Sequence, residues 1–242
     1  MLIIGNGKVV TRDKDNPFME NGAVLIDDRV IKKIGDYETL KQEYRDAQLI
    51  DAKGGVIMPG FINTHEHIYS AMARGLSIRG YNPKGFLDIL DGMWWTIDRN
   101  LTLEQTKQSA LATYIDCIKN GVTTVFDHHA SYGSIRDSLF KIEEAAKETG
   151  IRSCLCYEVS DRDGMEKRTD AVLENEAFIK HALADDTDMI AGMMGLHASF
   201  TLSDETLALC CTQAGWCRVS YSCGGRDRGS VRFSEKVRKT DH

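Results

Sequence analysis

The chain has 242 residues, 42% of them hydrophobic and 27% charged, and a formal charge of −6. That is enough apolar material to bury a core in one large domain or two small ones, and it excludes collagen-like and grossly disordered chains. With no basic excess, nucleic acid is not the expected partner, and no apolar run approaches the roughly 20 residues of a membrane span.

The start, Met1-Leu2-Ile3-Ile4-Gly5, lacks the charged and long apolar regions of a signal peptide, so a cytoplasmic location is expected. Seven cysteines, none in a C-x-x-C pair, suit reduced thiols better than a disulfide framework. Cys154 and Cys156 lie two apart in an apolar run and read as strand core.

In chain order, residues 1–57 read as a small β-rich unit. Leu2–Val10 is β-rich with Asn6-Gly7 as a turn signal, Gly22–Ile34 forms a strand pair around Asp27-Asp28, and Leu49–Val56 is broken at Gly54-Gly55. Tyr37–Arg45 reads as a short helix. Residues 58–215 then alternate strand and helix. Val56–His65 is an apolar strand with Pro59-Gly60 inside it. A helix opens at Thr102, where Gln105 completes a capping box, and Gly121 stops it. Val122–Phe126, Ile151–Tyr157 and Met189–Leu196 are strands, with helices expected over Ser134–Thr149, over Asp170–Ala184 and from Ser203. Strands apolar on both faces and separated by helices imply a parallel sheet of four β/α units. The carboxylates from Asp185 to Asp188 read as a solvated turn.

The strongest local signal is Pro59-Gly60-Phe61-Ile62-Asn63-Thr64-His65-Glu66-His67. Strand periodicity puts the imidazoles of His65 and His67 on one side, at the end of a parallel strand where sites form. Two neutral imidazoles suit one divalent ion, Zn²⁺ or Fe²⁺. A catalytic metal usually takes at least three protein ligands and a water. Glu66 lies between the two histidines, points away from them and receives no role.

These residues, with Val122-Thr123-Thr124-Val125-Phe126-Asp127-His128-His129 and Gly195-Leu196-His197-Ala198-Ser199-Phe200, resemble the amidohydrolase superfamily. The likeness is to the branch of cytosine and guanine deaminases and chlorohydrolases, and within it to the SsnA aminohydrolases. The resemblance implies the first half of a metal-dependent-hydrolase (β/α)₈ TIM barrel preceded by part of a β-sandwich, and His65 and His67 as metal ligands. It implies a metal-activated hydroxide attacking the C–N bond of an amino-substituted heterocycle or amidine-like small molecule. His197 is expected to contact substrate. His128 and His129 follow the next strand at the same end of the sheet, where at least one should face the mouth and contact substrate and either could instead support it from behind, and Trp95 or Trp94 could line the pocket or pack in the core.

Residues 216–242 depart from this pattern. They carry seven Lys/Arg and three Asp/Glu, a charge of +4 that leaves −10 for the rest, and match neither strand nor helix period. The H-x-x-E motif that the resemblance places on the next strand, with its third ligand and proton-shuttling Glu, is absent. So is the Asp of the last strand. Read one base later, with suitable synonymous codons, the segment from Trp216 yields His-Val-Ala-Glu followed by an amphipathic helix pattern. The expectation is therefore a frameshifted tail on a truncated, inactive hydrolase whose open barrel edges promote association between copies. Two alternatives stand beside it. A paired half-barrel enzyme would pool four histidines without a proton shuttle, and a non-enzymatic binding module would use the basic tail on an acidic partner.

Overall fold

The computed structural model describes residues 1–214 and 219–221. The chain divides at Gly60 into two compact units, each with its own sheet.

In the first unit, β1 (Leu2–Val10) is the hub. It pairs antiparallel with β2 (Phe18–Asp27) and parallel with β4 (Gln48–Asp51) and β5 (Val56–Ile57), while β3 (Val30–Asp36) pairs with β2. Alternation along β1 turns Ile3 and Val9 inward. Asp36 caps α1 (Tyr37–Glu43) by accepting the Thr39 N–H at 2.9 Å, and Leu40 of that helix joins Ile3, Ala23 and Leu25 in the core. Asn6-Gly7, a turn signal in the sequence, lies inside an unbroken strand. Asn6 takes φ 56°, the register slips beside it, and its amide donates to Asp51 at 2.7 Å. The dipeptide makes a bulge that ties β1 to β4.

The second unit contains parallel strands β6 (Phe61–Glu66), β7 (Val122–His129), β8 (Arg152–Val159), β9 (Ile190–Gly192), β10 (Met194–Leu196) and β11 (Val219–Tyr221). Their order is β6-β7-β8-β10-β11, with β9 also on β8. Between them run α2 (Phe86–Ile89), α3 (Trp95–Asn100), α4 (Leu103–Lys119), α5 (Ser138–Thr149), α6 (Gly164–Leu183) and α7 (Asp204–Ala214). With β9 and β10 taken as one interrupted strand, each strand lies beside its predecessor with no reversal. That is the one-way winding of a barrel rather than a doubly wound sheet.

The capping box of α4 forms as the sequence predicts: Gln105 N–H donates to Thr102 Oγ1 at 3.3 Å, and Thr102 N–H to Gln105 Oε1 at 3.0 Å. Other boundaries move. The helix expected from Ser134 starts at Ser138, after Asp137 at φ 67°, where buried Glu174 accepts the Asp137 and Leu139 N–H groups. The helix expected from Asp170 begins already at Gly164. The strand expected over Met189–Leu196 breaks between β9 and β10, and buried Asn175 bridges the break. It accepts from Tyr157 N at 2.8 Å and Gly195 N at 3.3 Å and donates to Tyr157 O at 2.8 Å. Gly195 must be glycine there, because a Cβ would stand 2.3 Å from the Tyr157 carbonyl. Residues 68–100, which the sequence left unassigned, form a 3₁₀ turn (Ile68–Ala73), α2, a π turn (Leu90–Trp94) and α3.

Val219–Tyr221, inside the segment that reads as aperiodic, pairs as β11 with β10, Met194 against Val219 and Leu196 against Tyr221. The rest of that segment, and the frameshift expectation attached to it, lie outside the described residues.

Candidate active site

His65 stands near the C-terminal end of β6 and His67 just past it. Their Nε2 atoms face each other at 3.1 Å, with the rings nearly perpendicular. His67 Nδ1 lies 2.9 Å from the carbonyl oxygen of His128. A carbonyl only accepts, so Nδ1 carries the hydrogen and Nε2 the lone pair. Two nitrogens each about 2.0–2.1 Å from a tetrahedral zinc stand about 3.3 Å apart, close to the observed gap. Burial, with a smaller effect of neighbouring His65, lowers the His67 pKa and keeps the ring neutral, as a ligand must be. The pair fits a divalent ion. Among the described residues no group of three or more His, Cys, Asp or Glu side chains could hold one, so the described residues bring together this pair of imidazoles without a third group of that kind.

The loop carrying His67 is anchored from β7. Asp127 Oδ1 accepts the Ile68 N–H at 2.7 Å, and burial raises the Asp127 pKa well above the carboxylate range. His129 is fully buried behind the mouth, with Nε2 3.0 Å from Ser131 Oγ. That hydroxyl donates to Ser134 O, so His129 Nε2 must donate to it. The structure thus places His129 in the supporting layer and His128 against His67, their ring centroids 5.9 Å apart. Burial pushes His128 and His129 down to about 3.

His197 follows β10. Its Nδ1 lies 2.7 Å from Thr201 Oγ1, and burial with nearby Arg162 lowers its pKa to about 4. The Trp95 ring stands 6.3 Å from it, whereas Trp94 packs against Tyr69. The histidines at the ends of β6, β7 and β10 therefore converge on the C-terminal side of one parallel sheet.

The sequence reading overlooked an ionic group at its centre. Arg162 is buried, with Nη2 2.5 Å from Asp98 Oδ2 and 3.5 Å from Glu158 Oε1, and its guanidinium lies 3.9 Å over the Tyr132 ring. Burial raises Asp98 to about 6 and Glu158 to about 8, against the opposing pull of Arg162. Nothing in the sequence marks Asp98, on α3, as a neighbour of Glu158, near the end of β8, and of Arg162 four residues further on. Beside Arg162 and Trp95, a cavity of about 670 Å³ opens toward Phe200 and Ser203.

Metal-type imidazoles at the mouth of a one-way parallel β/α sheet define a hydrolase-type barrel site. Residues 56–218 match the model of the amidohydrolase family, and the chain belongs to that family. It is 30% identical over 210 residues to 5'-deoxyadenosine deaminase of Methanosarcina barkeri, covering 86% of this chain and 44% of that protein. It is 26% identical over 207 residues to 5-methylthioadenosine/S-adenosylhomocysteine deaminase of Bacillus cytotoxicus, covering 84% and 44%. Among solved structures it superposes on guanine deaminase of E. coli with a TM-score of 0.70 at 20% identity, covering 91% of this chain and 53% of that one. On the zinc complex of atrazine chlorohydrolase TrzN from Arthrobacter aurescens TC1 the TM-score is 0.71, again at 20% identity, covering 88% and 50%. These two likenesses show the barrel fold. The chain spans about half the length of the relatives it matches. The family is metal-dependent, and no helix among the described residues is long and apolar enough to cross a membrane.

Proposed function

We propose that this chain carries the front half of the active site of a metal-dependent aminohydrolase that cleaves a C–N bond of an amino-substituted heterocycle or amidine-like molecule. The observation that carries the proposal is the convergence of His65 and His67 Nε2 at 3.1 Å with the His67 tautomer fixed for ligation. Bound there, zinc or iron(II) supplies a water whose pKa is lowered toward ~7. The chain's own residues bind and orient. His197 and Trp95 line the substrate side, His128 stands between them and the metal pair, and His129 with Asp127 holds the β7 end in place. The matched deaminases point to a purine-like ring as the substrate class. Neither a third ligand nor a proton-transferring acid is among these residues, and the proposal expects no turnover from them alone.

The test compares the 242-residue chain with a version that drops one base at the Trp216 codon and continues in that frame. The chain as written binds zinc through His65 and His67 and releases no ammonia from 5'-deoxyadenosine or guanine. The restored version releases it, and His67→Ala abolishes both metal retention and release. A restored version that folds, retains metal and hydrolyses no amino-heterocycle overturns the reading. Loading with zinc and with iron(II) in turn decides the metal.

A further inference from the structure

A second pair of facing groups lies in the mouth, apart from the metal pair. Glu158 and His197 end neighbouring strands, with Gly195 in register with Glu158 and Leu196 with Val159. Glu158 Oε2 lies 3.9 Å from His197 Nε2 and 4.0 Å from His128 Nε2. These gaps are too long for direct hydrogen bonds and fit a ligand atom that engages both sides.

The polarity of each group follows from its partners. Thr201 Oγ1 donates its one hydrogen to Ala198 O at 2.8 Å, so at 2.7 Å from His197 Nδ1 it must accept. His197 therefore carries its hydrogen on Nδ1 and presents Nε2 as an acceptor. On the other side, Arg162 is shared by two buried carboxylates, with Asp98 at 2.5 Å and Glu158 at 3.5 Å, and it also meets Asp163 at 3.1 Å. Two buried carboxylates around one guanidinium favour keeping a proton on the more distant one. The Arg162 N–H groups occupy the Oε1 side, which puts that proton on Oε2. Glu158 thus presents a donor beside the His197 acceptor.

We propose that Glu158 and His197 form a donor–acceptor edge that recognises the amidine edge of a planar heterocycle: a ring nitrogen accepting from Glu158 Oε2–H and an adjacent N–H or amino group donating to His197 Nε2. The proposal rests on the hydrolase reading for its orientation. His128 touches both sides, its ring 5.9 Å from that of His67 and its Nε2 4.0 Å from Glu158 Oε2, so the recognised edge is the one away from the bond that is cleaved. The Trp95 ring, 6.3 Å from His197, walls one side. Glu158 is a specificity-determining residue that no motif in the sequence marks.

The test uses two probes of equal size on the 242-residue chain without metal. 2-Aminopyrimidine has the amidine edge; 2-methylpyrimidine keeps the ring nitrogen and lacks the N–H. Ligand-observed NMR should show 2-aminopyrimidine binding about tenfold more tightly, the effect of one hydrogen bond to a buried partner. Glu158→Gln, which keeps an N–H donor in place for the ring nitrogen, retains most of the binding of both probes, and Glu158→Leu weakens both about tenfold. The ¹⁵N signals of His197 should report hydrogen on Nδ1, which can be read on the unaltered chain even if Glu158→Leu does not fold. Equal binding of the two probes, hydrogen on Nε2, or undiminished binding of 2-aminopyrimidine to a folded Glu158→Leu variant each overturns the proposal. These readouts need neither turnover nor metal. A failed donor–acceptor edge leaves the hydrolase reading standing, and a restored version without turnover leaves this edge standing.

Discussion

β6 and β8 are parallel strands of one sheet, yet they sit in opposite environments. From Ser153 to Val159 every residue of β8 is buried, between β7 on one side and β9 and β10 on the other. β6 pairs, among the described residues, with β7 alone, and Phe61 and Ile62 at its start are 56% and 60% exposed. A strand apolar on both faces needs cover on both. The His65–His67 pair thus grows from the less supported strand, whereas Glu158 and His128 grow from better supported ones. On the β8 side the side chains are held by cover on both sides. The β6 side carries its two imidazoles on an edge that is open among the described residues.

The difference predicts where substitutions hurt. The largest loss is expected on the β8 side with Arg162→Met, which strands Asp98 and Glu158 without their cation and should cost about 3–5 kcal/mol in urea unfolding. A cost below that of a surface substitution would show the cluster to be structurally idle. Asn175→Ala should cost about 3 kcal/mol, because buried N–H and C=O groups of Tyr157 and Gly195 lose their shared partner beside the β9–β10 break. Amide exchange at Tyr157 should rise with it.

The pH dependence is next in size. Asp98 and Glu158 have folded pKa values of about 6 and about 8, above their ordinary 3.8 and 4.5. As pH rises, the unfolded chain ionises these groups first, so their contribution is full below about pH 4 and falls away toward pH 8. The melting temperature should drop between pH 5.5 and pH 8.5, measured by circular dichroism, and Glu158→Gln should remove most of the drop. An unchanged slope in that variant places the titration elsewhere. The smallest effect belongs to β6: Ile62→Ala should change stability by less than about 0.5 kcal/mol. Ile62→Lys should reduce self-association in analytical ultracentrifugation, since a charged edge strand resists pairing with another copy. A large stability loss from either change would mean that β6 is covered in solution.

Much of this was legible in the sequence. The spacing of His65 and His67 at the end of an apolar strand placed the two imidazoles on one side, because strand periodicity is local and fixes which side chains share a face. The Thr102–Gln105 capping box and the strand–helix alternation likewise depend on residues a few positions apart. Only the tertiary structure decided the rest. Asn6-Gly7 became a bulge because Asp51 holds it, and His129 turned into the supporting layer because Ser131 takes its hydrogen. Asp98 met Glu158 and Arg162 only once α3 had packed against the end of β8. Local patterns follow from the short-range geometry of the backbone. A buried carboxylate's partner, its proton and its exposure to a ligand depend on groups far away along the chain, as Asp98 and Arg162 are at a separation of 64.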